Sequence, residues 1–274
     1  DGYTSFQTET AKMNHFYITL PSDNSMNFYS INTVAHFTSR LPHRIRLDGE
    51  YEVGLSEIIY PYSWLNFNND DDRMSTHFLK RSGTRSIECV YDSGQYPNKI
   101  ALMKSINDKV NDVITSGTNR KDVRAIYRFD ETLRKIRLMI RCDADEAYFM
   151  SDEMSKHLGF ECNGPFTDGD HIAENTFDLH DGSHLIYVYC DIASFTPVGH
   201  AKAPLLRVCN ISGKYGEMIR TIFTHPHYVP VARREIETIE ININNERGKP
   251  MPFEFGKAVV TLHFRRRHSL LPSS

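Results

Sequence analysis

The sequence predicts an all-β chain with minor helical insertions, folded as a β-sandwich. Apolar and polar residues alternate with period two along several stretches, only two stretches switch to helical spacing, and no regular strand–helix–strand rhythm occurs. The 274 residues exceed an ordinary domain, but one-piece sandwiches and barrels reach roughly 250 residues.

Taken in order, residues 1–30 read as an N-terminal arm, with a brief strand at 16–20 and turn chemistry at 21–25. Tyr51, Val53 and Leu55 then alternate with Glu52, Gly54 and Ser56, continuing from Ile45 and Leu47, which predicts a strand with one wet face. Residues 98–116 place Leu102, Ile106, Val110 and Val113 at helical spacing, with Gly117 as the stop. Residues 124–129 and 133–141 form a hairpin around Asp130-Glu131-Thr132. A short helix is predicted over 151–159: Ser151 is the N-cap, Asp152 and Glu153 fill the first turn, Met154 and Leu158 share a face, and Gly159 closes it.

The runs 185–191 and 205–208 are shorter and largely apolar, and they predict strands buried on both faces. Ile239, Ile241 and Ile243 alternate with Glu240, Asn242 and Asn244, and residues 245–248 supply a turn. Finally Ala258, Val260, Leu262 and Phe264 alternate with mostly polar neighbours. The domain plan that follows is an arm at 1–30, a sandwich at 31–267 with an insertion within about 68–170, and a tail at 268–274. So many strands need their edges protected, which double-sheet arrangements such as jelly rolls achieve.

Composition narrows the function classes. A hydrophobic share of 40% and a charged share of 24% support a sizeable core rather than disorder. With 32 basic and 35 acidic residues the net charge is −3, so no global field recruits nucleic acid or an anionic membrane. The apolar runs are far shorter than the roughly 18 residues of a membrane span. Five cysteines, an odd number without CxxC spacing, argue against a disulfide framework and a zinc knuckle. Cys190 and Cys209 sit in apolar runs and read as buried thiols, which points to folding in a reducing intracellular compartment.

The search for catalytic chemistry returns little. The chain has no GxSxG, P-loop, HExxH or GxGxxG motif. No catalytic residue is assigned and no cofactor is expected. His225 and His227, two residues apart around Pro226, are the best metal-like pair, with His180 or His184 as a third donor. A structural zinc site normally asks for a closed Cys/His set, so the expectation is no metal. Acidic clusters at Asp143, Asp145 and Glu146, at Asp168 and Asp170, and at Asp70, Asp71 and Asp72 read as solvated turns and loops.

Arg265, Arg266 and Arg267, followed by His268, form the one basic run. It reads either as a solubilising tail or as a weak contact with phosphates, such as a packaged genome, or with an acidic neighbour. Tyr60, Tyr62 and Trp64 read equally as a cap on the core or as interface anchors, and Tyr228 and Val229 are further interface candidates.

Several segments in a fixed order carry a resemblance. They are Phe16-Tyr17-Ile18-Thr19-Leu20-Pro21-Ser22, then Leu47-Asp48-Gly49-Glu50-Tyr51-Glu52-Val53-Gly54-Leu55-Ser56-Glu57-Ile58-Ile59-Tyr60-Pro61. Ile186-Tyr187-Val188-Tyr189-Cys190-Asp191-Ile192 and Ala203-Pro204-Leu205-Leu206-Arg207 follow, and the set closes with Phe255-Gly256-Lys257 and Leu262-His263-Phe264-Arg265. In that order the chain resembles the minor capsid (penton) proteins of Polinton/Maverick elements and related adintoviruses, from about Met13 to Arg267.

The resemblance implies a single jelly-roll β-sandwich that forms homopentamers at the vertices of an icosahedral virion. Its implied partner is a double-jelly-roll major capsid protein, and it implies no enzymatic activity. Two other readings are a jelly-roll module that binds glycan or a receptor through Trp64-type aromatics, and a cupin-like metal enzyme built on His225 and His227.

Overall fold

The computed structural model describes residues 8–11, 14–68, 74–83, 85–118, 123–180 and 184–267. The acidic run at 70–72 and the tail at 268–274 lie outside the described residues. Among the described residues the fold is mostly β-strand with two helices, and the chain divides into two compact units. Unit 1 comprises Asp1–Trp64 and Ser183–Ser274, and unit 2 comprises Leu65–Gly182.

The chain enters unit 1 through β1 (Thr8–Ala11), β2 (His15–Pro21), β3 (His36–Leu47) and β4 (Tyr51–Pro61). Within the first thirty residues, expected as an arm, β2 pairs antiparallel with the last strand of the chain along its whole length. The reason is sequence-local: Phe16, Ile18 and Leu20 point to one face and pack on or within the core.

Unit 2 follows with β5 (Ser75–Lys80), β6 (Arg85–Val90), α1 (Lys99–Thr118), β7 (Arg124–Asp130), β8 (Lys135–Arg141), β9 (Glu146–Met150), α2 (Asp152–Leu158) and β10 (Gly169–Ile172). Its strands form two three-stranded sheets, β6-β5-β9 and β10-β8-β7. Helix α1 is capped by the Asn98 side chain, which accepts from the Ala101 N–H at 2.9 Å, and it runs one residue past the expected stop at Gly117. Leu102, Ile106 and Val110 are buried in the unit 2 core, and Val113 packs against it.

The β7–β8 hairpin is held by Asp130, whose carboxylate accepts from the Thr132 and Leu133 N–H groups at 2.9 Å and from Arg137 Nε at 2.7 Å. Those bonds hold its pKa below the ordinary range. Helix α2 has the expected caps: the Met154 N–H donates to Ser151 Oγ at 3.3 Å, and Gly159 takes the left-handed conformation at φ 86°. Deep in this unit, Tyr127 and Tyr148 join hydroxyls at 2.9 Å, and Thr76 joins Tyr91 at 2.8 Å. Burial pushes Tyr148 up to about 12 and raises Tyr91 and Tyr127 well above the usual phenol value.

The chain returns to unit 1 through β11 (Leu185–Cys190), β12 (Thr196–Val198), β13 (Ala201–Ala203) and β14 (Leu205–Asn210). It continues with β15 (Met218–Ile222), β16 (Val229–Pro230), β17 (Glu235–Asn244) and β18 (Val259–Arg266). One sheet has the order β1-β3-β17-β11-β14 and the other β15-β4-β18-β2, with β16 paired to β4. Apart from the parallel β1–β3 pair, every pairing in these two sheets is antiparallel.

Phe37, Ile186, Val188, Ile239 and Ile241 from the first sheet share one core with Val53, Leu55, Val260, Leu262 and Phe264 from the second. The expectation that β11 and β14 are buried on both faces is corrected. Ile186, Val188 and Cys190 are buried, but Leu185, Tyr187 and Tyr189 are only half-buried, and Val208 is exposed. The tyrosines and β-branched residues of these runs tolerate a wet face because the outward side of an antiparallel sheet is solvated.

Candidate functional site

The outer face of the sheet β15-β4-β18-β2 carries part of the chemistry flagged by sequence, Arg265 and the segment with His225, His227 and Tyr228. On β18, Leu262 and Phe264 face the core, which sends His263 and Arg265 outward. The segment 223–228 lies over neighbouring β4 at Gly54. A Cβ there would meet the His227 carbonyl oxygen at 2.8 Å and Pro226 Cβ at 2.9 Å, so only glycine lets the segment lie this close. Tyr228 reaches across to His263, with its hydroxyl 2.6 Å from Nδ1.

Tyr17 of β2 stacks on His263 at 4.3 Å between centroids, and His15 meets it edge-on at 5.6 Å. The Arg265 guanidinium lies 3.6 Å from the Tyr228 ring centroid and is held by Glu52 through bonds of 3.0 and 2.9 Å. Burial, with the positive charge of His15 and Arg265 adding to it, lowers the His263 pKa. This arrangement is a hydrogen-bonded clamp on the sheet surface.

Val229, the other interface candidate of this stretch, pairs with Val53 and packs partly against the core. The remaining three aromatic candidates are buried: Tyr60 is 0% exposed, Tyr62 5% and Trp64 3%. Tyr62 and Trp64 stack at 4.2 Å, and Phe253 meets Trp64 at 5.7 Å. Of the two readings of this segment, its side chains take the core-cap one, because the end of β4 closes the core of unit 1. Burial pushes Tyr60 up to about 12.

His225 and His227 are exposed, and among the described residues no group of three or more His, Cys, Asp or Glu side chains gathers as a metal site. The acidic clusters stay dispersed as well: Glu146 is buried on β9, and Asp168 pairs with Arg141 at 3.5 Å. The cysteines are free thiols; Cys89, Cys190 and Cys209 are buried, Cys142 is half-buried and Cys162 exposed. In the basic run, Arg265 is engaged by Glu52, and Arg267 lies 3.8 Å from Glu50 and 4.0 Å from Glu52. Arg266 lies against Gly49. Among the described residues, no helix is long and apolar enough to cross a membrane.

Sequence reasoning missed the exposed apolar side chains on edge strand β15 and in the loop between β2 and β3. On edge strand β15, Met218 and Ile222 are 54% and 56% exposed. After the opposite edge strand β2, the loop leading to β3 exposes Met26, Phe28 and Ile31, the last at 86%. The signal was present in β15, where Met218, Arg220 and Ile222 share one face by alternation and Ile219 takes the buried one.

No protein-family model matches the chain, and no curated protein matches it. Among solved structures, the crystal structure of SeMet-labeled mavirus penton protein is similar, with a TM-score of 0.49 and 11% identity. The alignment covers 92% of this chain and 99% of that chain.

Proposed function

We propose that this chain is a non-enzymatic structural protein of a virion, a minor capsid (penton) subunit. In this reading it forms pentameric vertices of an icosahedral shell whose major protein is a double jelly roll. The observation that carries the reading is the strand order of unit 1. Two four-strand runs, β3-β17-β11-β14 and β15-β4-β18-β2, enclose one core, and successive strands alternate between them except at the β11–β14 hairpin. That is the order expected of a single jelly roll, a fold used by viral capsid domains, lectins and cupins.

A fold alone does not fix a function. Two further features favour the capsid use. The ordered segments that carry the resemblance fall on β2, β4, β11, β14 and β18, or on the residues flanking them, all within unit 1. A closed ring needs two different, complementary surfaces on each protomer. Exposed Met218 and Ile222 on edge strand β15, and Met26, Phe28 and Ile31 in the loop between β2 and β3, are suited to that head-to-tail contact. In this reading unit 2 is an insertion between β4 and β11.

The other uses of the fold lack their residues: Trp64 is buried rather than available for stacking on a sugar, and His225 and His227 have no third donor clustered with them among the described residues. Size-exclusion chromatography with mass measurement, followed by negative-stain imaging, tests the proposal. Fivefold rings are expected; a strict monomer at high concentration, in both low and high salt, would sink it.

A further inference from the structure

Unit 1 contains a cleft of 260 Å³ between the β3–β4 turn and the stretch leading from β16 to β17. Its lining joins Leu47, Tyr51, Pro230, Val231 and Ala232 to the cations Arg233, Arg234 and Arg267. Its frame is fixed by backbone bonds: the Leu47 N–H donates to the Arg234 carbonyl at 2.8 Å, the Val231 N–H to Tyr51 at 2.8 Å, and the Arg267 N–H to Glu50 at 2.8 Å. Arg266, whose guanidinium lies against Gly49, stands at the same turn.

Among the lining residues three arginines face one carboxylate, Glu50. Arg233 is paired with Asp191 at 2.9 Å, and Arg267 has only long contacts to Glu50 and Glu52. Arg234 and Arg266 have no carboxylate within ion-pair distance among the described residues and are exposed. A guanidinium presents a planar fork that fits a carboxylate or a phosphate.

We infer that this cleft binds an extended acidic segment of a partner protein, seating carboxylates on Arg234, Arg266 and Arg267 and an aliphatic side chain on the Leu47–Val231 floor. Two features favour a peptide over nucleic acid. The site is compact, and Leu47, Pro230, Val231 and Ala232 contribute apolar atoms to a lining that is otherwise polar. Its one aromatic, Tyr51, is buried and packs near Phe16, so no base can stack on it. The inference does not depend on the capsid reading, since the cleft belongs to one protomer.

The test is titration calorimetry of the full chain in low salt with an alternating Glu–Leu hexapeptide, its Gln–Leu counterpart and a single-stranded oligonucleotide. The acidic peptide is expected to bind and the neutral one not. The double variant R234Q/R266Q weakens binding by roughly tenfold or more, and added salt weakens it further. Glu50→Gln strengthens it, a gain that misfolding cannot produce. Failure of the acidic peptide to bind, binding unaffected by R234Q/R266Q, or tighter arginine-dependent binding of the oligonucleotide overturns the inference.

Discussion

Unit 1 and unit 2 reach a buried core by different routes. Unit 1 uses long strands, such as the twelve residues of β3 and the eleven of β4, and its inner faces are almost wholly aliphatic and aromatic. Unit 2 uses strands of four to seven residues, a 20-residue helix, and a core that takes in the phenol hydroxyls of Tyr91, Tyr127 and Tyr148. Long pleated strands state their inward face by period two; short strands carry too few residues to do so. In unit 2 the hydroxyls pair with one another inside the core, Tyr127 with Tyr148 and Thr76 with Tyr91, and both bonds must be made, whereas the buried tyrosines Tyr60 and Tyr62 of unit 1 lie at the end of β4 among stacked rings.

That comparison can be broken most directly through each core. Phe264→Ala in unit 1, where the ring is 0% exposed and stacks on Phe16 at 4.7 Å, is expected to cost about 3–5 kcal/mol. Leu138→Ala in unit 2, also 0% exposed, is expected to cost about 2–5 kcal/mol. Denaturant unfolding followed by hydrogen exchange should show each change confined to its own unit. Equal loss of protection in both units from either change would mean that the two cores are not separate energetically.

The hydroxyl dependence of unit 2 comes next. Tyr127→Phe leaves the Tyr148 hydroxyl short of a buried partner and should cost about 1–3 kcal/mol. The double change with Tyr148→Phe should cost less than the sum of the two single changes. An additive result would place no coupling in that pair.

In unit 1, Gly54→Ala drives a methyl against the His227 carbonyl and Pro226. It is expected to cost about 1–3 kcal/mol and to raise amide exchange in 223–228. Smaller still is the effect of pH. Folded His263 has a lowered pKa, so below the unfolded value of 6.5 the unfolded chain binds more protons than the folded one. The stability this ring supplies is therefore complete above about pH 6.5 and declines as the pH falls through that value. His263→Gln should flatten the decline between pH 7 and 5 in thermal unfolding; an unchanged slope would assign it to other groups. Least of all, Arg44→Ala, which removes exposed pairs with Glu235 and Glu237, should change stability by about 0–1 kcal/mol.

The elements legible in the sequence were those whose signal is local. Alternation at 51–55, 239–243 and 258–264 set the strands and their inward faces. Ser151 and Gly159 bounded a short helix, and Asp130 marked a hairpin turn, because caps and turns act through neighbours in the chain.

What lay beyond it depended on residues far apart. Whether Tyr60, Tyr62 and Trp64 are a core cap or a contact surface turns on Phe253, almost two hundred residues away, which packs against Trp64. The arrangement of Tyr228 over His263 requires β18 beside β4 and a glycine at 54 beneath the crossing segment. The arginine run could be read only as charge until the β3–β4 turn and β4 placed Glu50 and Glu52 beside Arg265 and Arg267, with Arg266 against Gly49 of that turn and distant Arg234 in the cleft it borders. By itself, then, the sequence determined that this protein is β-rich, which side chains face inward along its clearest strands, and where its helix caps and hairpin turn fall. The strand order of the two sheets, the division into two cores and the composition of the arginine cleft were decided by pairings between distant segments, whose register no local pattern encodes.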